Sequence, residues 1–431
     1  MSARHVHLGC LFVGLALATV LPSRAAAQDA ASPPVRTITL DQAVQLAFAH
    51  NQTLRSQRLG IQASKADEIT AGLKPNPTIG VVTEDLPILH PHGFSSLDYM
   101  NDHAVVTPSL SYLFERGGKR EKRLTVAQDT TLMTSQNVFD AERQIRFNVD
   151  QAYVSVLLAK SSLEFAQQSL SDFDQVVTLN QQRMQAGDIS QADYLKITIQ
   201  KLQFEQDVSS AQVSLEQSRA ALRQLLGYES VTDDYQVSGD LAHLPHPLSL
   251  DALKQEALAD RPDYLAARTN LKVAQDTHAL ELANRARDVT GELEYQHNQD
   301  VSGFGFGVTI DLPIHDRNQG NIAHAAIGIQ QAQATEAAAR NAVLTDVVSA
   351  YAALQTNDHV ASLYESGYLQ QARDSLDISR YAYSRGATDL LDLLDAERTY
   401  QQTELAYRQV LAAYMTSAAQ INFVVGKQVI P

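Results

Sequence analysis

The stretch Tyr381-Ala-Tyr383-Ser-Arg385-Gly386-Ala-Thr388-Asp389-Leu-Leu-Asp392-Leu-Leu-Asp395 sets the plan of the whole chain. One glycine interrupts a very long helical pattern. Aspartates then recur at every third position, which puts Asp389, Asp392 and Asp395 on one helix face. Leu390, Leu391 and Leu394 are expected to form the opposite, apolar face. About 200 residues earlier, Arg183-Met-Gln-Ala-Gly187-Asp-Ile-Ser190-Gln-Ala-Asp193-Tyr-Leu195 offers a fainter copy of the same design.

Outward from these turns the helical pattern is long. No proline or glycine occurs between Lys119 and Ala186, a run of roughly 100 Å at helical rise. The second copy, Asn321 to Arg385, contains only Gly328 and Gly367 as breaks. Apolar residues seven apart mark a seam between paired helices: Val208, Leu215 and Leu222; Leu369, Leu376 and Tyr383; Tyr400, Tyr407, Tyr414 and Ile421. A shift of 199 carries Val208, Leu215 and Leu222 onto Tyr407, Tyr414 and Ile421, and Gly187 onto Gly386.

The other ends of the two copies also match. Thr39-Leu-Asp41 opens a helix expected to run to about Leu73, and Ser249-Leu-Asp251 repeats that opening 210 positions on. Each is followed by a strand pair, about 78–85 with 103–113 and 289–296 with 303–310. In the second pair Phe304, Phe306, Val308 and Ile310 alternate with glycines and Thr309, the pattern of a strand with one apolar face. Each strand approaches the ~9 to 11 residues that a tilted membrane strand needs. The reading is a signal over residues 1–27, a first unit over 28–240 and a second over 241–431, with residues 228–247 joining them.

Composition fits long helices with a thin apolar seam: 44% apolar residues and no tryptophan in 431 residues. The formal charge is −15, and loss of a signal holding Arg4 and Arg24 makes it about −17, which argues against a nucleic-acid surface. Arg4, the apolar run Leu8–Leu21 and Ala25-Ala-Ala27 read as a secretory signal. A lipoprotein reading of Leu8-Gly9-Cys10 leaves almost no apolar run ahead of the cysteine. Cys10 is the only thiol, so disulfides and thiolate metal sites are not expected in the mature protein. No later segment approaches the roughly 20 apolar residues of a membrane helix.

This order of elements, a signal and then helix, strand pair, very long helix, glycine turn and return helix given twice, resembles the outer-membrane efflux proteins of the TolC type over essentially the whole mature chain. Phe114-Glu-Arg-Gly117-Gly118-Lys119-Arg120-Glu-Lys-Arg123 and Lys74-Pro75-Asn76-Pro77 resemble the cobalt-zinc-cadmium branch of that family. The resemblance implies a mostly α fold with a small β part. Long coiled hairpins would form a periplasmic tunnel, and four membrane strands per protomer would build one twelve-stranded barrel in a homotrimer. It implies an outer-membrane location among lipids, a periplasmic adaptor and a proton-driven inner-membrane pump as partners, and a passive exit duct for small molecules or metal ions. No catalysis, cofactor or resident metal is implied. The rival reading is a periplasmic coiled-coil adaptor or scaffold, for which a single hairpin flanked by β domains would be expected.

In the family, carboxylates at the hairpin tip ring the pore. Asp392 and Asp395 stand at matching positions, and Asp193 and Tyr383 fall where closing contacts are made. Helix capping is the competing account for Asp193, in Ser190-x-x-Asp193, and for Asp389, and it extends to Asp392, but Asp395 lies beyond the first turn. Gly187 and Gly386 read as turn glycines, and Arg183, Arg385 and Thr388 as adaptor-docking candidates. His90, His92, His297, His315 and His324 lack a ligand spacing and read as surface residues.

Overall fold

The computed structural model describes residues 37–85, 104–232, 234–298 and 301–430. The signal segment, Cys10, most of the lead-in and the loop carrying His90 and His92 lie outside the described residues. The elements are β1 (Thr37–Ile38), α1 (Leu40–His50), α2 (Gln52–Gly72), β2 (Thr78–Glu84), β3 (Val105–Phe114), α3 (Lys119–Ala186), α4 (Gln191–Leu226) and β4 (Gln236–Val237). There follow α5 (Leu250–Asp260), α6 (Pro262–Ala283), β5 (Val289–Asn298), β6 (Val301–Ile310), α7 (Gln319–Leu363), a π-turn (Tyr364–Tyr368), α8 (Leu369–Ser384) and α9 (Leu390–Val425).

The opening helix is two helices. Asn51 ends α1 in an extended conformation and accepts a hydrogen bond from the Leu54 N–H, so it caps α2. Arg261, also extended but without a side-chain cap, divides α5 from α6, with Pro262 at the first helical position. The 68-residue α3 is continuous as expected. In the second copy Gly328 leaves the helix intact, whereas Gly367, at φ 135°, forces the π-turn.

Bounds repeat as well as sequence. α4 and α9 are both 36 residues long, and each bound of α9 lies 199 positions after that of α4. Two apolar cores follow the same division. One gathers Ala43, Val44 and Ala47 of α1 with Val149, Tyr153 and Leu157 of α3 and Leu222 and Leu226 of α4. The other gathers Leu253 and Ala257 of α5 with Val343, Val347 and Leu354 of α7 and Ile421, Val424 and Val425 of α9. Tyr414 and Ile421 of the heptad series are buried, as are Leu222, Leu376 and Tyr383. A parallel pairing of β1 with β4, missed because two-residue strands carry no periodicity, ties the connector to the start of the chain. Tyr153 locks it, its hydroxyl 2.9 Å from the Ile38 carbonyl and 2.7 Å from that of Ser238.

The remaining strands form one antiparallel sheet in the order β2-β3-β5-β6. Its register separates two faces. Ile79, Leu110, Leu293 and Phe306 form one row across all four strands, while Thr78, Ser111, Glu292 and Gly307 form a row on the other face. The apolar face is exposed, most strongly at Ile79 (78%), Val308 (75%) and Phe306 (85%). On the polar face Glu294 fills the space beside Gly305, where a Cβ would lie 2.4 Å from its carboxylate. No helix among the described residues is long and apolar enough to cross a membrane.

Candidate functional site at the paired helix turns

Gly187 and Gly386 end α3 and α8 with the same hydrogen bonds. The Asp188 N–H reaches Arg183 O at 2.8 Å and the Gly187 N–H reaches Met184 O at 3.1 Å; Ala387 and Gly386 do the same to Ala382 O and Tyr383 O, at 2.9 and 3.0 Å. Both are Schellman closures needing positive φ, here 88° and 70°, which only glycine adopts without strain. Open space surrounds both glycines. Three residues after each glycine an N-cap starts the return helix: Ser190 accepts from Asp193 N at 3.1 Å, and Asp389 from Asp392 N at 2.9 Å.

The two turns are packed together. Phe173 and Phe204 stack with ring centroids 4.3 Å apart and, with Ile197, receive Leu390 and Leu394 of α9. Beside them Leu376, Tyr383 and Leu393 form a second small core. Leu393, not Leu391, is the buried member of the leucine run, and Leu391 is 73% exposed. The sequence reading chose the wrong leucine because α9 begins at Leu390, and its packed face is set by contact with α3 and α8 at once.

Arg183, Tyr383 and Asp193 are brought together. Buried Tyr383 donates from its hydroxyl to Asn180 Oδ1 at 2.6 Å, and Arg183 lies 5.2 Å from its ring centroid while donating to its carbonyl at 3.3 Å. Burial raises the phenol's pKa, with Arg183 opposing and Asp193 adding to the rise. Asp193 itself is held below the usual carboxylate range by the Ser190 hydroxyl, 2.8 Å away, and by Lys196 at 3.1 Å. The helix cap is Ser190, and the Asp193 carboxylate meets the Ser190 hydroxyl rather than the Ser190 backbone N–H of a full capping box.

Asp392 and Asp395 stand apart from that cluster on the exposed face of α9. Thr388 donates to Asp392, and Arg398 pairs with Asp395 one helical turn on. Arg385 lies 5.4 Å from the Tyr381 ring. Asn180 and the buried Glu397, paired with Arg380 at 2.7 Å, were missed. Both had a signal: Asn180 is seven residues after Phe173, and Glu397 seven after Leu390, so each is a polar residue on an apolar seam. Burial raises the Glu397 carboxyl's pKa and Arg380 opposes it. Of the expected surface histidines, His297 meets the Ser302 hydroxyl, at 3.1 Å. No group of three or more metal-binding side chains occurs among the described residues.

The family model for outer membrane efflux proteins matches twice, over residues 43–228 and 253–427. The chain belongs to the outer membrane efflux protein family. It is an outer-membrane exit duct of the kind that serves tripartite efflux systems, as its sequence implied. The cobalt-zinc-cadmium resistance protein CzcC of Cupriavidus metallidurans is 26% identical over 430 residues, covering 96% of this chain and 98% of that protein. The cation efflux protein CusC of Escherichia coli K12 is 26% identical over 291 residues, 64% of this chain and 61% of its own. A crystal structure of CusC superposes with a TM-score of 0.74 at 20% identity, over 90% of this chain and 92% of that one. These relatives lie in the heavy-metal branch of the outer membrane efflux family, as the glycine-rich junction motif suggested.

Proposed function

We propose that this efflux protein works as a homotrimer whose three four-stranded sheets close into one twelve-stranded barrel, continued through the periplasm by the helical hairpins. The observation that carries this reading is the sheet itself. Its apolar face is exposed, its opposite face bears Glu292, Glu294 and glycines, and among the described residues β2 and β6 each have one unpaired edge. In a bilayer such edges would strand backbone donors and acceptors, so closure against further copies is required. The matching bounds of α4 and α9 support an internal duplication, with units at 28–240 and 241–431 after a signal at 1–27.

The paired turns then lie about 100 Å along α3 from the sheet, at the periplasmic mouth. Asp392 and Asp395 from three copies would line that mouth as a cation-attracting ring. Arg183, Tyr383 and Asp193 would hold it narrow, and Gly187, Gly386, Arg385 and Thr388 present the surface for an adaptor. A proton-driven pump behind the adaptor supplies the energy, and no cofactor enters. The relation to cobalt-zinc-cadmium and cation efflux proteins favours divalent metal ions as cargo. Deletion of the chain, followed by growth on cobalt, zinc and cadmium beside a panel of drugs, tests this. Metal sensitivity of the deletion strain, relieved by the intact gene, is expected, whereas unchanged tolerance to every metal would overturn the cargo.

A further inference from the structure

We propose that the cleft between the start of β2 and the end of β3 seats the headgroup of an anionic glycerophospholipid, with its acyl chains against Tyr112 and Phe114. The inference rests on the reading of the sheet as membrane-embedded.

The run Glu115-Arg-Gly-Gly-Lys119-Arg-Glu-Lys-Arg123 follows directly on β3. Register brings Phe114, Val289 and Ile310 to one rim of the sheet, and Thr78, paired with Ser111, starts at the same rim, so Lys74 lies there too. A cleft of about 400 Å³ opens at this place, lined among others by Lys74, Tyr112, Phe114, Lys119 and Arg120. Tyr112 and Phe114 meet edge to face with centroids 4.9 Å apart. They continue the face of Leu110 and Leu293, and Phe114 is 54% exposed.

The charges around this cleft are not balanced. Lys119 is committed to Asp288 at 2.8 Å and Arg123 to Glu115 at 2.5 Å. Arg120 shares only the exposed Glu121, at 3.1 Å; Arg116 meets Asp288 through its backbone N–H, at 2.9 Å, and its guanidinium, like Lys74 and Lys122, forms no ion pair among the described residues. A chain of net charge −15 thus keeps uncompensated cations at the edge of its apolar face. An aromatic pair followed by basic side chains suits a strand passing from hydrocarbon into a layer of anionic headgroups. A free phosphate would engage the cations and leave the aromatic pair without a role.

The chain has no tryptophan, so Phe114→Trp installs a single fluorophore inside the cleft. The full-length variant is reconstituted in vesicles containing brominated phosphatidylglycerol or brominated phosphatidylcholine, and quenching gives the relative affinity. A preference of about fivefold or more for phosphatidylglycerol is expected, falling towards unity at about 1 M salt. Adding K74Q and R120Q should abolish the preference while quenching by brominated phosphatidylcholine persists, which shows that the variant still inserts. K74R with R120K should retain it. Equal quenching by both lipids in the single-tryptophan protein, or a preference indifferent to salt and to the Gln pair, would overturn the proposal. Absence of quenching by any brominated lipid would overturn the membrane reading with it.

Discussion

Asp395 carries more of the gate argument than Asp392, because Asp392 is engaged by the cap at Asp389 and by Thr388, while among the described residues Asp395 has only the exposed Arg398 as a partner. An exposed pair of this kind is worth little to stability, so replacing the aspartates should leave folding intact. In planar bilayers Asp392→Ala with Asp395→Ala is expected to reduce cation preference severalfold, and an unchanged reversal potential would remove the ring from the mechanism. A different carboxylate bears on stability. Burial on α3 pushes the Asp150 carboxyl up to about 6 from 3.8, with Arg146 opposing and Asp41 adding, and its Oδ1 has no hydrogen-bond partner. The folded chain binds this proton more tightly than the unfolded chain. Its contribution is therefore full below 3.8 and lost as pH rises through about 6. Asp150→Asn should gain about 2–3 kcal/mol over the parent at pH ~7.5 and almost nothing at pH ~4, read from unfolding in denaturant at both pH values.

At the scale of elements, periodicity was the legible signal. The uninterrupted α3, the heptad rows and the alternating strands all announced themselves, because each repeats one geometric relation over many residues. What escaped the sequence was set by contacts between distant segments. The division of α1 from α2 at Asn51 and the burial of Leu393 are of that kind, as is the clamp on the π-turn. There His243 of the connector, nearly enclosed, places one ring nitrogen 3.0 Å from Asp358 of α7 and the other 3.0 Å from Glu365 of the π-turn. Tyr407 of α9 donates to the same Glu365 at 2.9 Å, and Tyr414 meets the imidazole edge to face at 4.6 Å. Burial alone would lower this imidazole's pKa, but hydrogen bonds to Glu365 and Asp358 raise it overall. The clamp is therefore fully present below the ordinary imidazole range and lost as pH rises through the raised value. His243→Gln should lower the melting temperature of the detergent-solubilised protein at pH ~6, and the difference from the parent should shrink at pH ~9. A difference independent of pH would mean that His243 acts by packing alone.

For the whole molecule, the sequence supplied the order of elements and the position of the turns, and thereby the duct. The candidate site was legible in part: the turn glycines and the caps could be read from local chemistry, whereas Asn180 and Glu397 needed the seam to be followed through polar residues. Closure of the barrel is testable because the only cysteine lies at position 10. Val81→Cys on β2 with Val308→Cys on β6, treated with a short bismaleimide, should give dimer and trimer bands and none larger. Monomer alone, or a ladder running past three, would refute a closed ring. The two halves also differ mechanically. The first hairpin rises on a single 68-residue strut, while its counterpart is jointed at Gly367, with the 16-residue α8 beyond the joint. That outer arm is about 24 Å long. A bend of about 10° at the joint would swing the Gly386 turn sideways by about 4 Å, so the contacts of Tyr383 with Asn180 and Arg183 are what tie the jointed arm to the straight one.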